Sequence, residues 1–358
     1  MDSRANDIFK FHTHIEYRTE LVSQIKSTKK GDRVLLMSMT FEPTEPEIAE
    51  IVEALTAAAS RGVHVTLAVD AHSFLLNPYH LPGPLLGRQT LPKRLNPIYR
   101  HKLALLETIR AYPTGHTEIL NIPKRALNIP VSGRSHIKAA IINDQIFLGG
   151  CNLQAADWVD IMIGWRDKNF SDRLYKMLEN IIHSKHTSRS MAGIDRCLNI
   201  DEVTNVYIDS GKKGRSLIFQ EALELIDSAQ EWLVITCQFF PNSITAQHLL
   251  RAINRGVKVE VIYAHPNQHG LIGGLGQHVS ILREKARLPK ALFKHALNRD
   301  DPKLHAKLLA CDQGVMIGSH NYVKAGVILG TAEIALLAKD GQLAREAVET
   351  LHRGLKQN

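Results

Sequence analysis

The chain has 358 residues with 44 Lys and Arg against 36 Asp and Glu, which gives a formal net charge of +8 at pH 7. Its length suits two domains or one duplicated domain, and its 44% hydrophobic content is too high for a disordered chain. We expect no membrane-spanning helix, because no apolar run approaches about 20 residues, and no signal peptide, because the start lacks an apolar segment. We therefore expect a cytoplasmic protein whose excess of cations meets a polyanion or an anionic surface.

The cysteines are scattered through the chain without Cys-x-x-Cys pairs, at Cys151, Cys197, Cys237 and Cys311. This spacing indicates neither a zinc site nor a disulfide framework, so we expect four buried free thiols. His101, His116 and His269 likewise show no ligand spacing. Neither a metal ion nor another cofactor is therefore expected.

The first predicted elements are a strand, a helix and a second strand. Residues 34–41 form an apolar, strand-like run, and residues 46–60 carry apolar side chains at helical spacing. Arg61-Gly62-Val63 then predicts a turn that enters the next strand. Each of these elements has a counterpart in the second half of the chain.

The C-terminal half repeats the same order. An apolar run at 232–240 is followed by a helix-like stretch that reaches Asn254, and Arg255-Gly256-Val257 again enters a strand. Strands that alternate with helices predict an α/β fold with partly parallel sheets, one sheet in each half. The polar stretch at 184–199 separates the halves, so we predict domains at residues 1–190 and 191–358.

Each half then reaches a strand with the pattern His-x-Lys, followed by a glycine turn and an asparagine. The residues are His136, Lys138, Gly149 and Asn152 in the first half, and His305, Lys307, Gly318 and Asn321 in the second. The offset between the copies is constant, since 305 − 136, 318 − 149 and 321 − 152 all equal 169. A third His-x-Lys, at His183, has neither an apolar strand nor the asparagine behind it. The composite pattern, and not the tripeptide, is therefore the specific signal.

Residues two apart on a strand point to one side, so His136 and Lys138 share a face, as do His305 and Lys307. Two such strands brought together place two imidazoles, two ammonium groups and two carboxamides around one small anion. Phosphate suits this cage, because lysines neutralise its oxygens and amides donate hydrogen bonds to it. One imidazole can attack phosphorus while the other protonates the leaving alcohol.

The paired motifs resemble those of the phospholipase D superfamily, and the likeness covers nearly the whole chain. The resemblance implies two pseudo-twofold-related α-β-α sandwich domains and a two-step reaction through a covalent phosphohistidine. It implies that His136 is the nucleophile and His305 the general acid and then the base. It also implies that a carboxylate after each motif orients a histidine, and Asp160 and Glu333 stand at those positions. The resemblance also implies that phosphate is bound by Lys138, Lys307, Asn152, Asn321 and Ser319.

One position departs from the family pattern. The motif aspartate falls five residues after the lysine, which is Asp312 in the second half but Asn143 in the first, with Asp144 one place later. Its position at a strand end predicts a structural role, in which case the change is tolerated. The alternative is a degraded first site, and with it a catalytically inactive scaffold that only binds anions.

The substrate is a phospholipid or a nucleic acid. Residues 53–63, 165–167 and 239–242 resemble cardiolipin synthase and related bacterial phosphatidyltransferases. Apolar stretches at 74–87 and 270–276 precede clusters of cations, which suit peripheral docking on an anionic membrane, although they are also compatible with packed leucines and solvated charges. The cations are Arg88, Lys93, Arg94, Arg100 and Lys102 in the first half, and Arg283, Lys285, Arg287, Lys290 and Lys294 in the second.

We therefore expect a phospholipid substrate at the inner face of a membrane, with a metal-independent nuclease as the alternative. A nuclease would use the same cations on phosphates, but aromatic residues for stacking on single strands make up only 6% of the chain. The sequence calls for no obligate protein partner, and we expect a monomer.

Overall fold

Within the residues that the structure describes, a seven-stranded mixed sheet organises the first half of the chain and an eight-stranded mixed sheet the second. The computed structural model describes residues 8–75, 97–121, 133–154, 158–183, 195–241, 243–265, 270–287, 296–299 and 303–357. The predicted domain boundary at residue 190 lies outside these ranges, and so do residues 76–96 and 288–295 of the predicted docking segments.

The first half runs from a short edge strand to a helix that ends at His183. In chain order its elements are β1 (Lys10–Thr13), α1 (His14–Ser27), β2 (Arg33–Ser38), α2 (Pro46–Ser60), β3 (His64–Asp70), α3 (His72–Leu75), α4 (Pro97–Arg110), β4 (Gly115–Leu120), β5 (Ala139–Ile142), β6 (Gln145–Gly149), β7 (Trp158–Val159), β8 (Ile161–Arg166) and α5 (Lys168–His183). The sheet order is β1-β8-β6-β5-β2-β3-β4, in which β2, β3 and β4 are parallel and the other pairs antiparallel.

The second half contains the corresponding elements and one additional edge strand. They are β9 (Arg196–Asn199), β10 (Thr204–Ser210), α6 (Leu217–Ser228), β11 (Trp232–Cys237), α7 (Ser243–Asn254), β12 (Lys258–Ala264), α8 (Gly270–Arg287), β13 (Ala296–Arg299), β14 (Lys303–Leu304), β15 (Leu308–Cys311), β16 (Gly314–Gly318), α9 (Lys324–Leu329), β17 (Ala332–Ala338) and α10 (Gly341–Lys356). Their sheet order is β9-β10-β17-β16-β15-β11-β12-β13. Apart from β9, this is the strand order of the first half, and the predicted α/β fold is confirmed.

Helix α2 shows how local sequence sets these boundaries. Proline stands in its first turn, where a missing N–H costs nothing, and Ile48, Ile51 and Leu55 at helical spacing are fully buried. The helix ends at Ser60 before Gly62, whose positive φ of 84° turns the chain into β3. The predicted helix at 46–60 has the bounds found in the structure.

Helices cover both faces of each sheet. Helices α1, α2 and α4 supply an apolar cluster on the outer face of the first sheet, and α6 and α7 supply one on the second. A third cluster joins the inner faces of both sheets with α5 and α10. Helix α10 packs on β15 and β16 of its own half and on β1 of the other half. Each half is thus an α-β-α sandwich, and the two sandwiches share a central core.

The two halves are also joined by backbone pairing. Strands β14 and β7 run parallel, with Leu304 opposite Val159, and an isolated parallel bridge joins Ser135 to Ala332. Each pairing connects the residue before a motif histidine to the residue before a carboxylate of the other half. The main chains that carry the predicted site residues are therefore hydrogen-bonded across the halves.

The cysteines differ from expectation at one position. Cys151, Cys237 and Cys311 are buried and free, but Cys197 is exposed, so the prediction of four buried thiols is wrong there. Its strand, β9, lies at the sheet edge and pairs with β10 alone. None of the helices in the described ranges combines the length and apolarity needed to cross a bilayer.

Candidate active site

Each motif histidine is paired with a carboxylate of the other half. His136 Nδ1 lies 2.9 Å from Glu333 Oε2 and 3.1 Å from Oε1, and His305 Nδ1 lies 2.6 Å from Asp160 Oδ2. The two imidazole centroids are 6.5 Å apart. Because a carboxylate at Nδ1 keeps a proton on that nitrogen, Nε2 of each ring is the atom available to a substrate. Both halves therefore contribute to a single site.

Backbone hydrogen bonds hold this geometry. The N–H of His136 donates to the carbonyl of Ala332 at 2.8 Å, and the N–H of His305 donates to the carbonyl of Val159 at 2.9 Å. Each acceptor directly precedes the carboxylate that faces the same histidine. The position of an imidazole relative to its carboxylate is thus set by main-chain bonds only one residue away.

Both motif lysines are completely buried beside the histidines. Lys138 Nζ donates to the carbonyl oxygen of His136 at 2.8 Å, and Lys307 Nζ donates to the carbonyl oxygen of His305. Lys307 Nζ also lies 3.0 Å from His305 Nδ1. Two ammonium groups are therefore held within the site, where an anion would meet little competition from water.

The electrostatics of the site favour neutral imidazoles. Burial lowers the pKa of His136 to about 4 and that of His305 to about 3, against the opposing charges of Glu333 and Asp160. Burial by itself raises the pKa of each carboxyl, but the facing histidine and the nearby buried lysine together lower the pKa of Glu333 and of Asp160 below the usual values. At neutral pH the carboxylates are therefore ionised.

The lysine charges complete this balance. Burial and the charge of the other lysine lower the pKa of Lys138 to about 7, and burial lowers that of Lys307 to about 8. When both lysines are protonated, their charges cancel those of the two carboxylates. A further proton on an imidazole would leave a buried charge uncompensated, unless a bound anion supplied the counter-charge.

The two motif asparagines use their amide oxygens inside the protein. Asn152 Oδ1 accepts from the N–H of Thr40 at 3.3 Å and from Ser38 Oγ at 3.4 Å, just after β2 and at its last residue. Asn321 Oδ1 accepts from the N–H of Gln238 at 3.4 Å, just after β11. Corresponding strands thus orient both amides. Asn152 Nδ2 donates one of its two N–H groups to Gln154 Oε1 at 3.4 Å, which leaves the other as a donor.

Ser319 contacts a carboxylate of the site, and its phosphate contact stays a prediction. Its hydroxyl donates to Glu333 Oε2 and accepts from the N–H of Ile334 at 3.0 Å. In the first half, Gly150 stands at the matching position, and a Cβ there would lie 1.9 Å from Asp160 Oδ1. That oxygen accepts directly from the N–H of Ile161 at 3.0 Å. Ser319 thus links the Glu333 carboxylate to the backbone N–H of the next residue, whereas the shorter Asp160 side chain accepts from the next N–H directly.

The motif acidic residues lie away from the histidines. Asp312 accepts from the N–H groups of Gln230, Glu231 and Trp232, where β11 begins. Asn143 Oδ1 accepts from the N–H of Arg33 at 3.1 Å, where β2 begins. Its positive φ of 54° suits an asparagine. Asn143 therefore replaces the aspartate as a structural acceptor.

Asp144 is not the counterpart of Asp312. It forms a half-exposed ion pair with Arg166 at 2.9 Å, because the turn directs it away from the start of β2. The acidic position assigned to Asp144 from the sequence is thus occupied by Asn143.

Two features of the site were not predicted from the sequence. Asp70, the last residue of β3, is completely buried, binds Arg134 Nη1 at 3.0 Å and accepts from the N–H of Ser135 at 2.8 Å. The half-buried ring of Trp158 lies edge-on to His305, with centroids 5.8 Å apart. The sequence contained one signal for each feature: Arg134 stands two residues before the first motif histidine, and Trp158 stands two residues before Asp160.

The predicted docking cations are only partly described. Arg100, Arg283 and Lys285 are exposed, but Lys102 is buried and donates to Ser73 O at 3.0 Å, so it is not a surface cation. The apolar stretch at 270–276 begins helix α8. No group of three His, Cys, Asp or Glu side chains within the described part of the chain is arranged to hold a metal ion.

Comparisons with known proteins agree with this architecture. Residues 222–354 match the family described as "Cardiolipin synthase, PLD-like domain". The fold is similar to that of phosphatidylserine synthase from Haemophilus influenzae Rd KW20, with a TM-score of 0.70, 16% identity, and coverage of 98% of this chain and 86% of that one. It is also similar to polyphosphate kinase from Porphyromonas gingivalis, with a TM-score of 0.56, 14% identity, and coverage of 98% and 51%. The sequence matches none of the curated proteins.

These observations define a bilobal α/β protein. Its two halves share one site, which consists of two histidines, two lysines and two carboxylates. The part that matches the phospholipase D-like domain family, residues 222–354, contains His305, Lys307 and Glu333 of this site.

Proposed function

We propose that this protein transfers or hydrolyses the phosphatidyl group of phospholipids, in the manner of cardiolipin synthase-like enzymes, through a phosphohistidine at His136. The observation that carries the proposal is the crossed pairing of His136 with Glu333 and of His305 with Asp160, with a lysine buried beside each histidine. This arrangement supplies a nucleophile, a general acid and a compartment for one phosphate.

The first step forms the covalent intermediate. The lone pair of His136 Nε2 attacks phosphorus while the bond from phosphorus to the leaving oxygen breaks. That oxygen takes a proton from Nε2 of His305, so the products are a phosphohistidine and a free alcohol. The negative diester compensates the proton that His305 carries in this step, which fits a site that is electrically balanced before substrate binds.

The second step reverses the roles of the same atoms. An acceptor alcohol or water gives its proton to His305 Nε2 as its oxygen attacks phosphorus. The bond from phosphorus to nitrogen breaks, and the electron pair returns to His136. Glu333 and Asp160 stabilise the positive charge on the facing imidazole in each step.

A lipid substrate is favoured over a nucleic acid by two observations. The family match and the similar synthase are both named for phospholipid chemistry. Helix α8 also exposes Val279 by 58% and Leu282 by 66%, one turn apart, beside the exposed Arg283 and Lys285. Apolar side chains flanked by cations suit the surface of an anionic membrane.

The location of α8 supports the same conclusion. It follows β12, and the parallel neighbour β11 ends beside Gln238, which holds Asn321 of the site. Gln277 Nε2 of α8 donates to the carbonyl of Ala264, the last residue of β12, at 2.9 Å, so this part of α8 lies at the same edge of the second sheet as the phosphate cage. We propose that the enzyme meets its substrate with this edge against the membrane.

The test uses phosphatidylglycerol vesicles and, separately, plasmid and single-stranded DNA, all in EDTA. We expect turnover of the lipid and none of the DNA, and we expect His136→Ala and His305→Ala each to abolish it. His64→Ala, which changes an exposed histidine at the start of β3, is the matched control and should keep full activity. DNA cleavage without lipid turnover would overturn the proposal in favour of a nuclease.

A further inference from the structure

The phosphate cage is alike in the two halves, but its surroundings are not. Two residues before Asp160 stands Trp158, whereas Thr331 stands two residues before Glu333. Two residues before His136 stands Arg134, and two residues before His305 stands Lys303. Among the described residues, the site therefore carries an aromatic ring at this position next to His305 and a threonine at the matching position of the other half.

The cations at the matching positions, Arg134 and Lys303, also differ in their partners. Arg134 is buried and paired with Asp70, the last residue of β3, while β12 ends in Ala264 and offers no such carboxylate. Lys303 Nζ instead lies 5.6 Å from the centroid of the Trp158 ring, over its face. A cation over an indole is a favourable contact that restricts the orientation of the ring.

The ring of Trp158 also contacts the motif histidine of the second half. Its plane makes an angle of 84° with that of His305, edge to face. The next residue, Val159, is fully buried, and its carbonyl accepts from the N–H groups of His305 and Ala306 at 2.9 and 3.0 Å. Because the backbone that follows Trp158 is hydrogen-bonded and Lys303 and His305 contact its ring, the half-buried indole is presented beside the imidazole.

We propose that Trp158 forms the wall of the subsite that holds the alcohol, first the leaving alcohol and then the acceptor. This inference rests on the proposed function. In an in-line displacement the leaving oxygen lies opposite the attacking nitrogen, so a nucleophile at His136 puts it beside His305. The acceptor enters along the same line in the second step. The carbon atoms attached to that oxygen therefore lie against the indole.

The chemistry of the wall points to a small polyol such as a glycerol head group. Its C–H groups pack on the indole, and its hydroxyls remain free to face the polar cage. An alcohol seated there excludes water from the line of attack on the phosphohistidine. Trp158 thus favours transfer to an alcohol over hydrolysis, without contacting phosphorus itself.

The experiment compares Trp158→Thr, which copies the opposite half, with Trp158→Phe, which keeps a flat ring. Vesicles of phosphatidylcholine are incubated with increasing glycerol, and phosphatidylglycerol and phosphatidic acid are counted as transfer and hydrolysis products. We expect the threonine variant to need about tenfold more glycerol for equal transfer, and the phenylalanine variant to stay within about threefold of the parent. Trp232→Phe, at the start of β11, is the control and should behave as the parent.

The outcomes separate this inference from the proposed function. A parent enzyme that turns over no phospholipid overturns the proposed function. An active threonine variant with the same glycerol dependence as the parent overturns the role of Trp158 alone. Trp158→Leu, which keeps apolar volume without a flat ring, replaces the threonine variant under the same criterion should the latter lose its far-UV circular dichroism.

Discussion

Glu333 lies 2.9 Å from His136 although the two residues are 197 positions apart in the chain. Asp160 and His305 repeat the relationship in the opposite direction at 2.6 Å. Each half thus carries one histidine and the carboxylate that the other half needs. A separated half has a histidine without its partner, so both halves are required for one site.

The first prediction separates the two carboxylates by the step that they serve. With a p-nitrophenol leaving group, which needs no proton, Asp160→Asn should still release a burst of nitrophenol, because His136 keeps Glu333. Glu333→Gln should lose the burst and lower turnover by about 10² to 10⁴, since the imidazole loses its orientation and its counter-charge. Stopped-flow absorbance measures both, and equal bursts would contradict the assignment of His136 as nucleophile.

The second prediction concerns the small residues behind the carboxylates. Gly150→Ala should lower turnover more than Ser319→Ala does, because a Cβ at 150 would meet Asp160 Oδ1 at 1.9 Å. Removal of the Ser319 hydroxyl leaves Glu333 without one donor, so we expect a loss of about tenfold. Steady-state turnover at equal concentrations of folded protein compares the two. A larger loss in Ser319→Ala would contradict this account of the turn.

The third prediction is the pH dependence of anion binding, tested with dimethyl phosphate, whose single charge is constant between pH 5 and 9. A bound anion favours the protonated forms of the lysines and histidines, so binding should take up protons. The pKa of Lys138 is lowered to about 7 and that of Lys307 to about 8 in the free protein. Above pH 7, the free site increasingly lacks a proton that the complex holds, so Kd should rise by up to about tenfold per pH unit.

Calorimetry in two buffers of different ionisation enthalpy checks this prediction. The difference in binding heat gives the number of protons taken up, which should be positive at pH 7 and above. A Kd that is constant from pH 6 to pH 9 would show that the lysines keep their ordinary pKa values.

The fourth prediction treats Asp312 as a structural acceptor. Asp312→Asn should lower the free energy of unfolding by about 1 to 2 kcal/mol, because three N–H groups at the start of β11 lose a charged acceptor. Turnover per folded molecule should stay within about twofold of the parent. Urea unfolding and steady-state kinetics test the two statements. A selective loss of turnover at full stability would place Asp312 in the chemistry.

Much of the architecture was predictable from local pattern. The apolar spacing in 46–60 and the Arg-Gly-Val turns predict elements that the structure contains, because helix and strand periodicities depend on near neighbours. The constant offset of 169 between the His-x-Lys copies likewise identified His136 and His305 as a pair. The structure brings them within 6.5 Å of each other.

Other features depended on how the two halves pack. The sequence placed carboxylates at Asp160 and Glu333 but left open which histidine each one orients. The crossed pairing follows from the parallel contacts of β7 with β14 and of Ser135 with Ala332, which form only when the halves dock. The contact of the Ser319 hydroxyl with Glu333 instead arises within the second half, where β16 and β17 are paired antiparallel neighbours.

The sequence by itself thus determined the two copies of the motif, and it predicted the type of chemistry and the residues that perform it. Only the tertiary structure decided which carboxylate faces which histidine. It also decided that Asn143 accepts the backbone hydrogen bond at the start of β2, and that Trp158 lies beside His305. The physical reason is separation along the chain. Periodicity and turn chemistry act over a few residues, whereas partners 145 and 197 positions apart are chosen by the docking of two folded halves.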